Sequence, residues 1–218
     1  AMAKVAILDP ELTLSQPPRV TACTGIDAIA HAVETAVTRK RNETSLNYSR
    51  AAFQMMLENF SRVLESPDDL PARGQMLLGA AYAGTAIEHS MLGAAHSAAN
   101  PLTAHYDVVH GQAVGMMLPH VVRFNAADET IADGYAALVK DTAVASSNGT
   151  LSAEALAQAM EALLDSANLP RDLTAFGVDA AQLDVLSKEA AQQWTASFNP
   201  RDITAADFTG LYQKAFAS

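Results

Sequence analysis

Residues 21–34 read TACTGIDAIAHAVE, and this stretch sets the pattern for the chain around it. Its apolar residues recur at helical spacing, which predicts a helix over residues 24–38 with one packed stripe. Asp27 and His31 are four residues apart, so on a helix both side chains project from one face. On these residues alone, the pair is typical of a solvated ion pair and also of half a metal site.

The composition predicts a globular protein and argues against two classes of partner. The chain has 218 residues, of which 50% are hydrophobic, and this is enough for a sizeable core. It carries 14 basic and 24 acidic residues, a net charge of −10, which argues against nucleic acid as a partner. No apolar run approaches the roughly 20 residues that span a bilayer, so we expect no membrane partner. The single cysteine, Cys23, cannot form an internal disulfide and favours a cytoplasmic location.

The rest of the chain shows further helical patterns separated by turn signals. Periodicity predicts helices over residues 44–65, 71–91, 111–124, 128–145, 153–167, 180–194 and 205–216. Turn-forming residues break the pattern at 66–69 and 146–149, and Thr204 with Asp207 predicts a capping box. We expect Pro119 to bend its helix and Asn100-Pro101 to interrupt any helix between residues 92 and 110. The chain is therefore predicted to be mainly α, one domain of about eight helices.

One segment does not fit a helical domain. Residues 4–8 read KVAIL and precede the turn signal Asp9-Pro10, which predicts a short strand or extended arm. One strand cannot build a sheet, so we expect it to pair with another molecule or to be the severed end of a sheet from a preceding domain. An exposed strand of this kind also predicts a homo-oligomer.

Residues 92–110 read LGAAHSAANPLTAHYDVVH and supply further metal-ligand types. His96 and His110 are predicted to lie on separate local elements. Together with Asp27 and His31 they offer one oxygen and three nitrogens, a set that suits Fe²⁺ or Zn²⁺ and leaves coordination positions for a substrate. Sequence spacing cannot bring these four residues together in space. Glu34 is either the hydrogen-bond partner of a ligand histidine or an exposed acid.

The segments DPELT, TGIDAIAHAVE, LGAAH, NPL, AHYDVVHG and LPHVVRFN resemble the iron-dependent alcohol dehydrogenases of the dehydroquinate synthase-like superfamily. The resemblance extends from about residue 5 to the NPRDIT segment at 199–204. It implies a multi-helix dehydroquinate synthase-like C-terminal domain in which Asp27, His31, His96 and His110 bind Fe²⁺, with Zn²⁺ as the alternative. It also implies that the metal acts as a Lewis acid on a small-molecule alcohol or carbonyl while hydride passes to or from NAD(P).

The sequence departs from the family at the position of the proton relay. Members usually carry a histidine four residues after the third ligand, whereas this chain has Asn100. An amide cannot shuttle a proton at neutral pH. His105 either takes over this role or is a surface histidine beside Tyr106, and a third possibility is a pocket for a different substrate. Asn100 and His105 are therefore the candidate catalytic residues.

The sequence also contains no Gly-rich phosphate-binding turn. The resemblance therefore implies that residues 1–20 are a strand and linker left from a missing N-terminal α/β nucleotide-binding domain, and that residues 21–218 form a helical metal-binding catalytic domain. Such a chain would bind metal and lack turnover by itself. Two alternatives stay open. One is a truncated, non-catalytic helical module for metal binding or assembly, and the other is a different superfamily member, such as a zinc glycerol-type dehydrogenase.

Overall fold

The chain folds into a bundle of helices. A computed structural model describes residues 5–144 and 152–216. The described residues form nine α-helices, joined by short 3-10 turns and loops: α1 (Pro18–Thr35), α2 (Glu43–Glu65), α3 (Leu70–His89), α4 (Ala94–Tyr106), α5 (His110–Asn125), α6 (Glu129–Val139), α7 (Ala153–Ser166), α8 (Leu183–Gln192) and α9 (Ala205–Ala215). The mainly α prediction is confirmed. No helix in the described ranges combines the length and apolar character that a bilayer span requires.

The strand predicted at residues 4–8 is wrong for the part that the structure describes. Residues 5–8 belong to no strand, and Val5 and Ile7 are 80% and 88% exposed. A strand needs a hydrogen-bonded partner, and residues 5–144 and 152–216 contain no second strand that could supply one. The apolar residues of this arm are therefore left on the surface.

Two predictions about the bounds of helices were also wrong. α1 begins at Pro18, earlier than expected, because proline suits the first helical turn, where its missing N–H has no intrahelical partner. α4 continues through Asn100 and the buried Pro101, although an internal proline costs about 3 kcal/mol. Its packing against α5 and α8 outweighs this local penalty.

Other boundaries lie near the predicted ones. α3 starts directly after the predicted break at 66–69, and the capping box of Thr204 and Asp207 is confirmed at the start of α9. The helix predicted over 128–145 ends at Val139, while the pattern over 180–194 divides into a 3-10 turn, α8 and a second 3-10 turn that begins at Trp194. The break predicted at 146–149 lies outside the described residues.

α1 and α5 occupy the centre of the bundle and position the candidate site. α1 packs against α2, α3 and α5, and α5 also packs against α4, α7 and α9. Their close approach depends on glycine. A Cβ atom at Gly111 would lie 2.0 Å from the Cys23 carbonyl oxygen, and one at Gly115 would lie 2.6 Å from Ile26 Cγ2. Since a side chain would separate the helices, Gly111 lets the start of α5 approach the middle of α1.

Candidate metal centre

The structure brings together the four residues predicted as metal ligands. α1 supplies Asp27 and His31, the first turn of α4 supplies His96, and α5 begins with His110. Asp27 Oδ1 lies 3.3 Å from His96 Nε2 and 3.8 Å from His110 Nε2, while Asp27 Oδ2 lies 3.5 Å from His31 Nε2. The His31 and His96 rings are stacked with centroids 4.9 Å apart. We call these four residues the candidate metal centre.

Two buried atoms at the candidate metal centre lack hydrogen-bond partners. Asp27 Oδ1 and His96 Nε2 face each other, yet neither has a partner of suitable geometry within the described residues. One ligand atom from each of Asp27, His96 and His110 lies within 4.8 Å of the other two. Buried acceptor atoms that converge in this way require a positive charge, either a proton or a metal ion. The donor set therefore fits a divalent cation.

Glu34 orients one of the histidines. It is 3% exposed, its Oε1 accepts the Ala95 N–H at 2.7 Å, and its Oε2 lies 2.5 Å from His96 Nδ1. A hydrogen bond from Nδ1–H to this carboxylate leaves Nε2, the atom that faces Asp27, as the ring nitrogen of His96 that can bind a metal ion. Of the two interpretations left open for Glu34, the structure confirms the hydrogen-bond partner, because the acid is buried.

Burial and the two carboxylates set the charges of the cluster. Burial by itself lowers the pKa of His96, but the Glu34 and Asp27 carboxylates outweigh burial and raise this pKa to about 9. Burial lowers the pKa of His31 to about 4 and also lowers the pKa of His110. Burial opposes ionisation of Asp27, yet the three histidines hold its pKa below the usual range. At neutral pH Asp27 is therefore ionised and His31 and His110 are neutral, as metal ligands must be, whereas His96 carries a second proton that a metal ion binding at Nε2 would displace.

The candidate metal centre is closed on one side and open on the other. The His96 side chain is 5% exposed, whereas those of His31 and Asp27 are 22% and 23% exposed and that of His110 is 41% exposed. Its inner wall is therefore built from His96 and Glu34. The outer side, where His110 lies, gives a small molecule access to the converging ligand atoms.

The two candidate catalytic residues contact α8 or the turn after it. Asn100 lies one helical turn after His96, on the same face of α4, and its Nδ2 donates to Gln193 Oε1 at 2.9 Å. His105 is in the last turn of α4, where its Nε2 lies 2.7 Å from Glu189 Oε2. The His105 side chain is 42% exposed. This contact directs His105 toward α8, and a role for either residue in proton relay stays a prediction.

Sequence reasoning missed the residues that hold the cluster in place. Gly93 and Gly111 permit close approach: a Cβ at Gly93 would lie 3.1 Å from Glu34 Oε1, which leaves little room for the bond to Ala95. The signal for both glycines was present, because each lies immediately beside a segment that contains a candidate ligand. Gln193 and Glu189, the partners of Asn100 and His105, had no such signal, since their contacts cross 93 and 84 residues.

Comparison with known sequences identifies a family. A family model described as "Fe-containing alcohol dehydrogenase family, C-terminal" matches residues 21–216. The long-chain-alcohol dehydrogenase 1 of Geobacillus thermodenitrificans is 32% identical in an alignment 219 positions long, which covers 99% of this chain and 55% of that protein. The 1,3-propanediol dehydrogenase of Klebsiella pneumoniae is 30% identical, over 99% of this chain and 56% of that protein. The chain thus spans about half the length of the curated relatives it matches.

Solved structures show the same fold. An alcohol dehydrogenase from Oenococcus oeni superimposes with a TM-score of 0.85 at 27% identity, covering 94% of this chain and 54% of that one. The iron-containing alcohol dehydrogenase from Thermococcus thioreducens gives a TM-score of 0.89 at 24% identity, covering 98% of this chain and 55% of that one. These helices therefore correspond to a known domain architecture.

Proposed function

The chain belongs to the iron-containing alcohol dehydrogenase family, of which it is the C-terminal part, and we propose that it supplies the metal-binding half of an NAD(P)-dependent enzyme. The observation that carries this proposal is the convergence of ligand atoms from Asp27, His96 and His110, two of them buried without a hydrogen-bond partner, with His31 on the other oxygen of Asp27. A dehydrogenase of this kind interconverts an alcohol with an aldehyde or ketone.

In the proposed reaction each residue has a separate task. Asp27, His31, His96 and His110 would hold Fe²⁺, or alternatively Zn²⁺. The chemistry that a bound divalent ion supplies is Lewis-acid activation of an alcohol or carbonyl oxygen during hydride transfer with NAD(P). Glu34 keeps the lone pair of His96 on Nε2 through its hydrogen bond to Nδ1. Substrate would approach from the more exposed side, at His110.

The proton released from an alcohol needs an acceptor, and one of the two candidate catalytic residues can serve as that acceptor. Asn100 holds the position one turn beyond His96, but its amide cannot take up a proton at neutral pH. His105 carries a titratable imidazole held by Glu189 at 2.7 Å. If the reaction uses a protein side chain for this step, His105 is the candidate, and Asn100 would orient substrate or water.

The domain assignment is part of the same proposal. Residues 21–218 are proposed as the metal-binding catalytic domain, and residues 1–20 as the arm and linker that join it to an α/β nucleotide-binding domain. The exposed apolar side chains of Val5, Ile7 and Leu12 support a covering partner for this arm. The same surface supports self-association into a homo-oligomer, and the single cysteine supports a cytoplasmic location.

The first test is the metal content of the purified chain. We expect close to one Fe²⁺ or Zn²⁺ per chain by elemental analysis, either as purified without chelator or after anaerobic addition of the ion. Less than about a tenth of an ion per chain under both conditions would contradict the proposal. As a control, a His89→Gln variant should bind as much metal as the wild type, because His89 is an exposed histidine outside the candidate metal centre.

A titration with NAD(P)H tests the second half of the proposal. Nicotinamide fluorescence that changes saturably on addition of the metal-loaded chain supports an enzyme whose catalytic half contributes to the cofactor site. Metal binding without any response to NADH or NADPH would instead support the metal-binding module without catalysis.

A further inference from the structure

A cavity of about 210 Å³ lies between the 3-10 turn Pro10–Thr13, α1 and α3. Its walls are mostly apolar and include Ala28, Val63, Met76, Leu77 and Ala80. Among the described residues that line it, Arg73 is the one with a formal charge. None of the four residues of the candidate metal centre lines this cavity. We call this space the Arg73 cavity.

Arg73 is a buried cation without a carboxylate partner. The residue is 4% exposed. Its Nη1 donates to the Thr13 carbonyl oxygen at 2.8 Å and to Thr13 Oγ1 at 3.2 Å, and its Nε donates to the Pro67 carbonyl oxygen. Within the described residues Nη2 donates to no acceptor, and no carboxylate oxygen lies within 4 Å of the guanidinium.

The acid nearest in sequence does not neutralise Arg73. Asp69 caps α3, where its Oδ1 accepts the Ala72 N–H at 3.0 Å and its Oδ2 lies 2.5 Å from Arg62 Nε. Carbonyl oxygens offset part of the positive charge of Arg73, but a buried cation is stabilised far better by an anion. The free N–H bonds at Nη2 supply the geometry that an anion needs.

The hydroxyl groups of the Arg73 cavity already donate to acceptors of the protein. The hydroxyl of Thr21 donates to Gln16 Oε1 at 3.2 Å, and that of Thr24 donates to the Val20 carbonyl oxygen at 2.8 Å. Thr13 Oγ1 donates to the Pro10 carbonyl oxygen at 2.8 Å. Recognition of an anion in this cavity therefore depends on Arg73 and on the Gln16 side-chain amide, whose Nε2 donates to no acceptor among the described residues. The rest of a ligand would meet mainly apolar walls.

We propose that the Arg73 cavity binds a short-chain aliphatic carboxylate. The carboxylate would accept hydrogen bonds from Arg73 Nη2, and the alkyl chain would pack against Met76, Leu77 and Ala80. A non-hydrogen atom takes roughly the volume of a water molecule, about 30 Å³, so a cavity of about 210 Å³ holds a ligand with about seven such atoms. Pentanoate has this size and is the probe of choice.

Calorimetric titration of the metal-free chain with pentanoate tests the proposal. Removing metal ions with a chelator prevents the carboxylate from binding at the candidate metal centre. We expect saturable binding of one pentanoate per chain, and binding of pentan-1-ol weaker by about tenfold or more, because the alcohol lacks the charge that pairs with Arg73. Each methylene removed from pentanoate should weaken binding by about fourfold.

Two variants locate the binding site. Arg73→Gln should weaken pentanoate binding by about tenfold or more, and Ala80→Phe, which fills the cavity without touching the charge, should abolish it. Arg50→Gln, at an exposed arginine, and Gly84→Phe, where an added Cβ meets no atom within 4 Å, are the matched controls and should bind as wild type does. No saturable binding of pentanoate, equal binding of pentan-1-ol, or unchanged binding by a folded Ala80→Phe variant would overturn the proposal.

Discussion

Two charged clusters lie toward opposite ends of α5, and they differ in how their charges are satisfied. Near the C-terminal end, Arg123 pairs with both oxygens of Glu154 at 2.8 Å and with Glu161 at 2.5 Å, and Arg171 adds contacts to Glu161 and Asp165. Each donor there meets an acceptor. At the N-terminal end, His110 joins Asp27 and His96, where acceptor atoms face acceptor atoms.

This contrast distinguishes an ion-pair network that stabilises the fold from a site that can bind a cation. In the Arg123 cluster the opposite charges neutralise one another, and the pairs join α5 to α7. At the candidate metal centre, Glu34 and Asp27 place two carboxylates around His96, and the orphaned atoms point toward each other. Both clusters contain two or more carboxylates, so the unsatisfied acceptor atoms are what distinguish the candidate metal centre.

The largest effect is expected from Asp27→Ala. This variant removes the carboxylate that lies against all three histidines, so metal occupancy should fall below about a tenth of an ion per chain, as measured by elemental analysis. Asp184→Ala is the matched control, because Asp184 is 74% exposed and pairs with Lys188 on the surface. Equal metal occupancy in wild type and the Asp27 variant would show that α1 serves only as scaffold.

Gly111→Ala tests whether the approach of α5 to α1 builds the cluster. The added Cβ would lie 2.0 Å from the Cys23 carbonyl oxygen, and we expect the free energy of unfolding in urea to fall by about 3 kcal/mol, with weaker metal binding. Gly210→Ala in α9 meets no atom within 4 Å and should raise stability by about 0.5 to 1 kcal/mol, because alanine favours a helix. Equal stability of the two variants would contradict the close contact of these helices.

Glu34→Gln tests the orientation of His96. The variant keeps the size of the side chain but replaces the carboxylate that accepts a hydrogen bond from His96 Nδ1–H. Metal affinity should therefore fall by about 10- to 100-fold while binding persists. Competition with a chelator of known affinity measures the change. Glu88→Gln, at an exposed acid in α3, should leave the affinity unaltered. Complete loss of metal from a folded Glu34→Gln variant would mean that Glu34 is itself a ligand.

The smallest effect is expected from Arg123→Met in the satisfied cluster. The Arg123 side chain is 28% exposed, and removing its ion pairs should lower the free energy of unfolding by about 1 kcal/mol. Metal affinity should stay unchanged, because distant sites act independently. A tenfold loss of metal affinity would show that the two ends of α5 are coupled and would weaken the contrast between the clusters.

The helices and most of their boundaries were predictable because helical periodicity and capping are local. The start of α3, the cap of α9 and the periodic stripe of α1 follow from neighbouring residues. The strand at residues 4–8 and the interruption at Pro101 were predicted wrongly, because a strand depends on a partner elsewhere and a proline inside a helix depends on the packing around it. Neither is encoded in the local pattern.

The sequence by itself determined the helical class and the residue types able to bind a metal. The order of these residues along the chain also indicated the family. Only the tertiary structure decided that Asp27, His96 and His110 converge within 4.8 Å, that Glu34 is buried against His96, and that Arg73 lines a cavity without a carboxylate partner among the described residues. The physical reason is the separation in sequence between the residues that interact. Helix formation depends on residues up to four positions apart, whereas the candidate site joins residues separated by 62 positions in the case of Glu34 and His96.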